Sequence, residues 1–392
     1  MGFAALALAV VAGLGLVQHL AGWFAVRKFA RGARAAGVGA QPPISVLKPL
    51  HGDEPLLEPA LASFCAQDYP AFQVVFGVQD SADPALAVVR RIAARFPHAD
   101  LAVVADPTPH GPNRKIANLM NMLRAARHDV LLIADADTHA APDFLARVAT
   151  ALQRTGVGLV TTLYTGLPAQ PLPACRLGAT QITHAFLPGV LLGRALGRED
   201  CLGATMALRR ETLDAIGGLA ALVGHLADDA VLGMLVRARG WRIALADTVP
   251  ATTVAETTLA ALLRHELRWA RTMRSVAPAG YAASALQYPL GFAGLAAVLA
   301  GFAWWSVALF GVAWAIRAAV ARGIDALLGL ATPAPIWLLP LRDLISVGVV
   351  LASFASDRVE WRGQVLRVDR PADLAAWRRG NWTASGESIA PP

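Results

Sequence analysis

The sequence predicts a Rossmann-like α/β domain with a mostly parallel sheet, held between transmembrane helices at both ends. Three observations carry that expectation. Short apolar runs without polar alternation recur between helical stretches in the middle of the chain, as in a sheet covered on both faces. Apolar blocks long enough to enter a bilayer lie before and after it. Only 16% of the 392 residues are charged and 55% are hydrophobic, with a mean hydropathy of +0.47. A soluble domain carries roughly 25% charged residues.

Residues Phe3 to Val26 hold no Asp, Glu, Lys or Arg, and Arg27, Lys28, Arg31 and Arg34 follow at once. Trailing basic residues mark the cytoplasmic side of a span, whereas a cleaved signal peptide has its basic residues first. Residues 1–26 therefore read as an uncleaved anchor with its N-terminus outside. Between 42 and 255 strands and helices alternate. Ile44 to Lys48 is a strand stopped by Pro49, Leu57 to Cys65 a helix, and Phe72 to Val78 a buried strand. Pro84 opens a helix to Arg95, Leu101 to Ala105 is a strand, Lys115 to Ala126 a helix, and Val130 to Ala134 a strand. Gly166 to Pro173 reads as a loop over the active face.

Residues 256–275 read as an amphipathic interface helix. Leu259, Leu262, Leu263, Leu267, Ala270 and Met273 share one face, and Arg264, Arg268 and Arg271 the other. A membrane block follows over 281–355. Tyr281 to Ile316 carries no charge and is about long enough for a hairpin of two short helices. Ile324 to Ala355 is broken by Pro333, Pro335, Pro340 and the pair Arg342–Asp343. A charge at mid-bilayer costs about 2.5–3.5 kcal/mol, so that pair is expected to face protein or water. The tail 356–392, basic through Arg358, Arg362, Arg367 and Arg370, is expected in the cytosol.

The net charge of +7 does not point to nucleic acid. The bases gather beside apolar segments, which suits anionic lipid headgroups, and no nucleic-acid reader motif accompanies them. Cys65, Cys175 and Cys201 are odd in number and show no metal spacing, which fits a reducing cytosolic domain. His51, His110, His139, His184 and His225 are likewise scattered.

The residues that could carry chemistry sit where strands end. Asp135-Ala-Asp137 leaves the strand Val130 to Ala134, and two adjacent carboxylates invite a divalent ion, Mg²⁺ or Mn²⁺, shared with substrate phosphates. A turn with Asx hydrogen bonds is the plainer alternative. Asp80 follows the strand ending at Val78, with Asp83 before Pro84 suited to capping, which leaves Asp80 for a nucleotide base. Asn113-Arg-Lys115 opens a helix, where N–H groups and a lysine suit a diphosphate; Lys48 is a second candidate for that region. Asp228-Asp229 stands at a helix mouth, where one aspartate can cap and the other, Asp229, can deprotonate a hydroxyl. His265, Arg268 and Trp269 lie within about one helical turn and can meet one ligand.

The series Asp80, Asp135-Ala-Asp137, Asp229 and His265-Glu-Leu-Arg-Trp269 resembles the D, DxD, D, (Q/R)xxRW pattern of family 2/21 glycosyltransferases. Ser45-Val-Leu-Lys-Pro-Leu50, Gln67-Asp-Tyr-Pro70, Asn113 to Lys115, Gly217-Gly218, Arg239-Gly-Trp-Arg242 and Trp361-Arg362 are similar to the ceramide glucosyltransferase group. Phe76 to Pro84 and Arg264 to Arg271 are similar to its bacterial members associated with hopanoid biosynthesis. The resemblance implies a GT-A fold, a membrane-bound inverting hexosyltransferase, a UDP-sugar donor and a lipid alcohol acceptor. It places uridine at Asp80, the metal at Asp135 and Asp137, the base at Asp229, and the diphosphate and acceptor entrance at His265, Arg268 and Trp269. His265 departs from the pattern, standing where Gln or Arg is usual. For the hopanoid type the implied pair is UDP-N-acetylglucosamine and a hopanoid polyol; for the ceramide type, UDP-glucose and ceramide. The implied location is a bacterial inner membrane, crossed more than once, with the catalytic domain in the cytosol. A processive polysaccharide synthase and a non-catalytic membrane scaffold are the alternatives.

Overall fold

Uniformly apolar runs such as Val130-Leu-Leu-Ile-Ala134 cannot leave either face in water, so they pair in the middle of a sheet and are covered on both sides. The computed structural model describes residues 2–35, 37, 39–361 and 364–367, and the chain divides into two compact units. One unit comprises 35–164 and 199–255 among these residues. Its strands, and one of the other unit, are in chain order β1 (Ile44–Pro49), β2 (Phe72–Val78), β3 (Leu101–Ala105), β4 (Val130–Ala134), β5 (Thr138–His139), β6 (Val157–Thr161), β7 (Thr165–Pro168, in the other unit), β8 (Thr205–Arg209), β9 (Arg242–Leu245) and β10 (Ala251–Val254).

Seven of them form one sheet in the order β3-β2-β1-β4-β8-β6-β9. β1 pairs in parallel with β2 and β4, β2 with β3, and β6 with β9; β8 alone runs against its neighbours. Strands β4 and β6 are buried along their whole length, while edge strand β3 leaves Val103 half exposed. Helices Leu57–Cys65, Ala85–Arg95 and Phe144–Leu152 cover one face with Leu61, Phe64, Ile92 and Phe144. On the other, helix Arg114–Leu123 approaches β2 at Gly77, where a β-carbon would lie 2.2 Å from the Met122 sulfur.

Because ligands gather at the carboxyl ends of parallel strands, the edge that matters holds the ends of β1, β2, β4 and β6. Lys48, Asp80, Asp135 and Tyr164 stand there. Strand β8 is reversed, so its start comes to the same edge: the Asp135 N–H donates to the Ala204 carbonyl at 3.1 Å.

The other unit comprises residues to 34, 165–198 and 256–368. Helices Gly2–Ala33, Trp304–Leu328 and Ile336–Ser353 are long and apolar enough to cross a membrane. The first helix continues to Ala35 in one piece, past the basic residues that end the expected span. The hairpin expected over Tyr281 to Ile316 is divided differently. Segments Pro278–Gln287 and Pro289–Leu299 meet at 66°, and a 25-residue helix then runs from Trp304 through both expected blocks. Its start is set by Gly301 and Phe302, whose positive φ values stop the preceding helix. The run Gly166 to Pro173 contains the end of β7 and the first residue of helix Pro173–Gln181.

Arg342 and Asp343 face protein, at 1% and 0% exposure. Arg342 donates to both Glu266 oxygens, at 2.7 and 2.8 Å, and to Ser346. That pairing turns an acid into the buried face of helix Leu259–Val276. Leu262, Glu266 and Ala270 are buried, while Leu259 and Met273 of the expected leucine face are each 46% exposed. Arg362 and Arg370 lie outside the described residues.

Removing one partner of a buried pair strands the other charge, at about 3–5 kcal/mol, whereas replacing both is far milder. Arg342→Met is therefore expected to lower the melting temperature in detergent sharply, and Arg342→Met/Glu266→Leu to recover most of it. Equal losses in both would dismiss the pair as the cause.

Candidate active site

Helix Arg114–Leu123 begins at Asn113, and this residue organises the carboxylates. Its side-chain oxygen accepts the Ile116 N–H at 3.1 Å, capping the helix, and its amide donates to the His225 carbonyl at 2.8 Å and to Asp228 at 3.2 Å. The cap thus ties the loop ahead of helix Asp228–Ala238 to the start of the lysine-bearing helix. Lys115, two residues on, places its ammonium 2.6 Å from an Asp135 oxygen, 4.0 Å from Asp228 and 3.4 Å from the Gly203 carbonyl. Burial works against that charge, but Asp135, Asp228 and Asp229 more than offset it and raise the Lys115 pKa.

Asp229 accepts the Ala230 N–H at 2.8 Å at the helix mouth. Its other oxygen lies against Gly203, where a β-carbon would come within 2.9 Å of it. Burial first, then the charge of Asp228, pushes its carboxyl up to about 6, with Lys115 opposing. Burial likewise raises Asp228, whose Oδ2 is buried and accepts no hydrogen bond. Asp137 is anchored by β10, where the Thr252 hydroxyl donates to its carboxylate at 2.7 Å; burial and the neighbouring Asp135 raise its pKa. Lys48, fully buried over the Phe64 ring, donates to the Asp135 carbonyl. Burial lowers its pKa to about 8, against the pull of Asp137 and Asp135.

The structure therefore brings together Lys48, Lys115, Asp135, Asp137, Asp228 and Asp229. Asp80 is exposed after β2, one oxygen engaged with the Ala82 N–H at 2.8 Å. Asp83 accepts from Gly52 and Ala85, holding the turn before helix Ala85–Arg95, but the cap position itself is Pro84, with no side-chain cap. His265, Arg268 and Trp269 lie in the other unit, on helix Leu259–Val276. There His265 Nδ1 donates to Glu256, and its ring meets Trp269 edge-on at 4.6 Å. Burial alone would raise the Glu256 carboxyl; the His265 hydrogen bond and charge, with Arg268, hold it below the usual range.

Among the described residues no group of three or more His, Cys, Asp or Glu could hold a metal alone. Asp135 and Asp137 nevertheless fit one. Mg²⁺ or Mn²⁺ commonly takes only one or two carboxylates and completes its shell with phosphate and water. Asp135, Asp137, Asp228 and Asp229 against Lys48 and Lys115 also leave a formal excess of negative charge, which adds to burial, the larger cause, in raising Asp137, Asp228 and Asp229.

Sequence reasoning missed Tyr164, Gly203 and Glu256. The Tyr164 hydroxyl is raised by burial and then by Asp229, Asp135 and Asp137, so it stands among the acids. Its position just beyond β6 was the available signal. Gly203 offered none, since its role appears only in its contact with Asp229, and Glu256 precedes the helix that carries its partner His265.

The profile described as Glycosyl transferase family 21 matches residues 4–373. The chain belongs to this family. It is 27% identical to ceramide glucosyltransferase 1 of Caenorhabditis elegans over 242 residues, 60% of this chain and 51% of that protein. It is 30% identical to the ceramide glucosyltransferase of Komagataella phaffii over 116 residues, 29% of this chain and 23% of that protein. The family 21 chain thus spans about half the length, or less, of these curated relatives. A mannosyltransferase from Pyrobaculum calidifontis, in complex with GDP-Man and Mn²⁺, superposes with a TM-score of 0.51 at 19% identity, covering 88% of this chain and 99% of that one. That likeness shows the GT-A fold.

Lys115→Met should leave Asp135, Asp228 and Asp229 without their shared cation. A loss of about 1–3 kcal/mol in unfolding free energy is expected, smaller than for a fully buried pair because the Asp135 side chain is 36% exposed, read from denaturant unfolding. A change under about 0.5 kcal/mol would show that solvent, not Lys115, balances the acids.

Proposed function

We propose that this family 21 chain is an inverting glycosyltransferase that moves a sugar from a UDP-sugar to the hydroxyl of a membrane lipid. The observation that carries the reading is Asp229. Its carboxylate is held at a helix mouth against Gly203, beside the Lys115–Asp135 pair, with a pKa near 6. A base works best when its pKa lies near the operating pH, so this group is deprotonated at neutrality yet basic enough to take a hydroxyl proton.

In this mechanism Asp80 accepts a hydrogen bond from uracil, and Lys48 and Lys115 set the charge around the donor's diphosphate. Asp135 and Asp137 would hold Mg²⁺ or Mn²⁺, which would supply positive charge at the diphosphate. Arg268 contributes charge to the diphosphate, and Trp269 walls the acceptor entrance. His265 stands in for Gln or Arg as a donor, its imidazole oriented by Glu256. Asp229 accepts the hydroxyl proton as the oxygen attacks the anomeric carbon from the face opposite UDP. The catalytic domain, 42–255, works in the cytosol of a bacterium, with residues 1–26 and 281–355 in the inner membrane and 256–275 at its surface.

The donor and acceptor favoured are UDP-N-acetylglucosamine and a hopanoid polyol, on the strength of Phe76 to Pro84 and Arg264 to Arg271. Likeness to ceramide glucosyltransferases supports a second pair, UDP-glucose and ceramide. Mass spectrometry of lipids from a host making both hopanoids and ceramide separates them: a new N-acetylhexosyl hopanoid supports the first, a hexosylceramide the second. No new glycolipid, with no UDP-sugar turnover, would return the chain to a scaffold.

Asp229→Asn is expected to abolish transfer while UDP binding persists; loss of both would sink the assignment. Transfer by the unaltered enzyme should fall as pH drops through about 6, where Asp229 takes up its proton, so a flat profile to pH 5 contradicts the base. Asp137→Ala should weaken donor binding in Mn²⁺ by tenfold or more and leave metal-free binding unchanged, read by calorimetry. Undiminished metal dependence rejects its role.

A further inference from the structure

The two lysines of the candidate site grip Asp135 in different places. Lys115 meets its carboxylate at 2.6 Å and keeps some access to solvent. Lys48 is 0% exposed and donates instead to the Asp135 backbone carbonyl. It stands near the end of β1, on the face that carries Ile44 and Val46 into the core. Beneath its ammonium, 4.1 Å away, is the centre of the Phe64 ring.

The carbonyl that Lys48 grips belongs to a turn. It also accepts the Thr138 N–H at 3.2 Å, which closes Asp135-Ala-Asp137-Thr138 into a four-residue turn. The far side of this turn is tied to β10. There the Thr253 N–H donates to the Asp137 carbonyl at 3.1 Å, and the Thr252 hydroxyl to the Asp137 carboxylate at 2.7 Å. On the near side, the Asp135 N–H reaches Ala204, and the closing carbonyl rests on Lys48.

A turn that presents two carboxylates one residue apart must be held against their repulsion. An ammonium bonded to the first residue of that turn can do so, since charge-assisted hydrogen bonds are about twice as strong as neutral ones. The acids around it, Asp137 and Asp135 before Glu54, all favour its charge. Packing alone does not explain the choice of lysine. Methionine would fill a similar volume over Phe64 without the cost of burying an ion.

We propose that Lys48 is a positioning residue, which fixes the Asp135-Ala-Asp137 turn from beneath so that both carboxylates face a divalent cation. It acts through the Asp135 carbonyl and does not touch the nucleotide. The part of that cation in sugar transfer rests on the function proposed above; the hold on the turn does not. The charge of Lys48, taken alone, works in the opposite direction. An ammonium repels a metal ion, so removing it from an unchanged turn would tighten metal binding, whereas losing the clamp loosens it.

Calorimetric titration of Mn²⁺ into the full-length protein in detergent, with UDP present, reads that sign without any transfer step. Lys48→Met should weaken Mn²⁺ binding tenfold or more, while UDP affinity in metal-free buffer stays within threefold of the unaltered protein. Should Lys48→Met not fold, Phe64→Leu takes its place, since it removes the ring that braces the ammonium and leaves every charge. It should weaken Mn²⁺ binding threefold or more, again with metal-free UDP affinity preserved. Mn²⁺ binding as tight or tighter in a folded variant would overturn the proposal, as would no Mn²⁺ binding by the unaltered protein. A tenfold loss of metal-free UDP affinity in Lys48→Met would make this lysine a direct donor contact and overturn it equally. The expected loss of Mn²⁺ binding, in a protein that turns over no UDP-sugar, would sink the proposed function and leave the positioning role standing.

Discussion

The candidate site depends on one ammonium. Lys115 is held against Asp135, with Asp228 and Asp229 near enough to raise its pKa despite burial. Without a shared cation these carboxylates, which come from two different places in the sequence, would repel one another. Asn113 makes the arrangement possible by a local device. It caps the helix that carries Lys115 and, with the opposite end of the same amide, holds the loop that delivers Asp228. A helix cap and a clamp on the candidate site are here the same side chain.

The sheet supplies the remaining order. Parallel strands β1, β2, β4 and β6 bring their ends to one edge, and the reversal of β8 adds Gly203 and Ala204 to that edge from the other direction. A β-carbon at Gly203 would come within 2.9 Å of Asp229 Oδ2, so any larger residue there would displace that carboxylate. Two carboxylates close together with a partial complement of positive charge suit a divalent ion shared with phosphate.

Much of this was legible before any coordinates. The strands β2, β3 and β4 match their apolar runs residue for residue; for β2 and β4 the reason is burial on both faces, while β3 is an edge strand. Asp80, Asp135 and Asp137 could be found because they follow those strands directly. What stayed hidden depends on contacts between distant residues. Glu266 looks solvent-facing until Arg342, 76 positions away, is seen to neutralise it, and Gly203 looks like any loop glycine until Asp229 arrives beside it. The membrane segments were legible as apolar blocks but not in their division. Composition reports how much of the chain prefers lipid, while the break at Gly301 and Phe302 is set by two backbone conformations.

Neither compact unit is a continuous piece of chain. The polypeptide leaves the unit with the sheet after Tyr164, contributes 165–198 to the apolar helices, and returns for β8 and the helix of Asp229. During synthesis the sheet therefore cannot close when β6 emerges: it lacks β8, the strand that sits between β4 and β6, until a helical excursion of 34 residues has been made. Completion of the unit with the sheet is thus timed by the chain's passage through the other unit. A protein built this way resists evolution by domain shuffling, since no single cut and no simple fusion can transfer the site to another anchor.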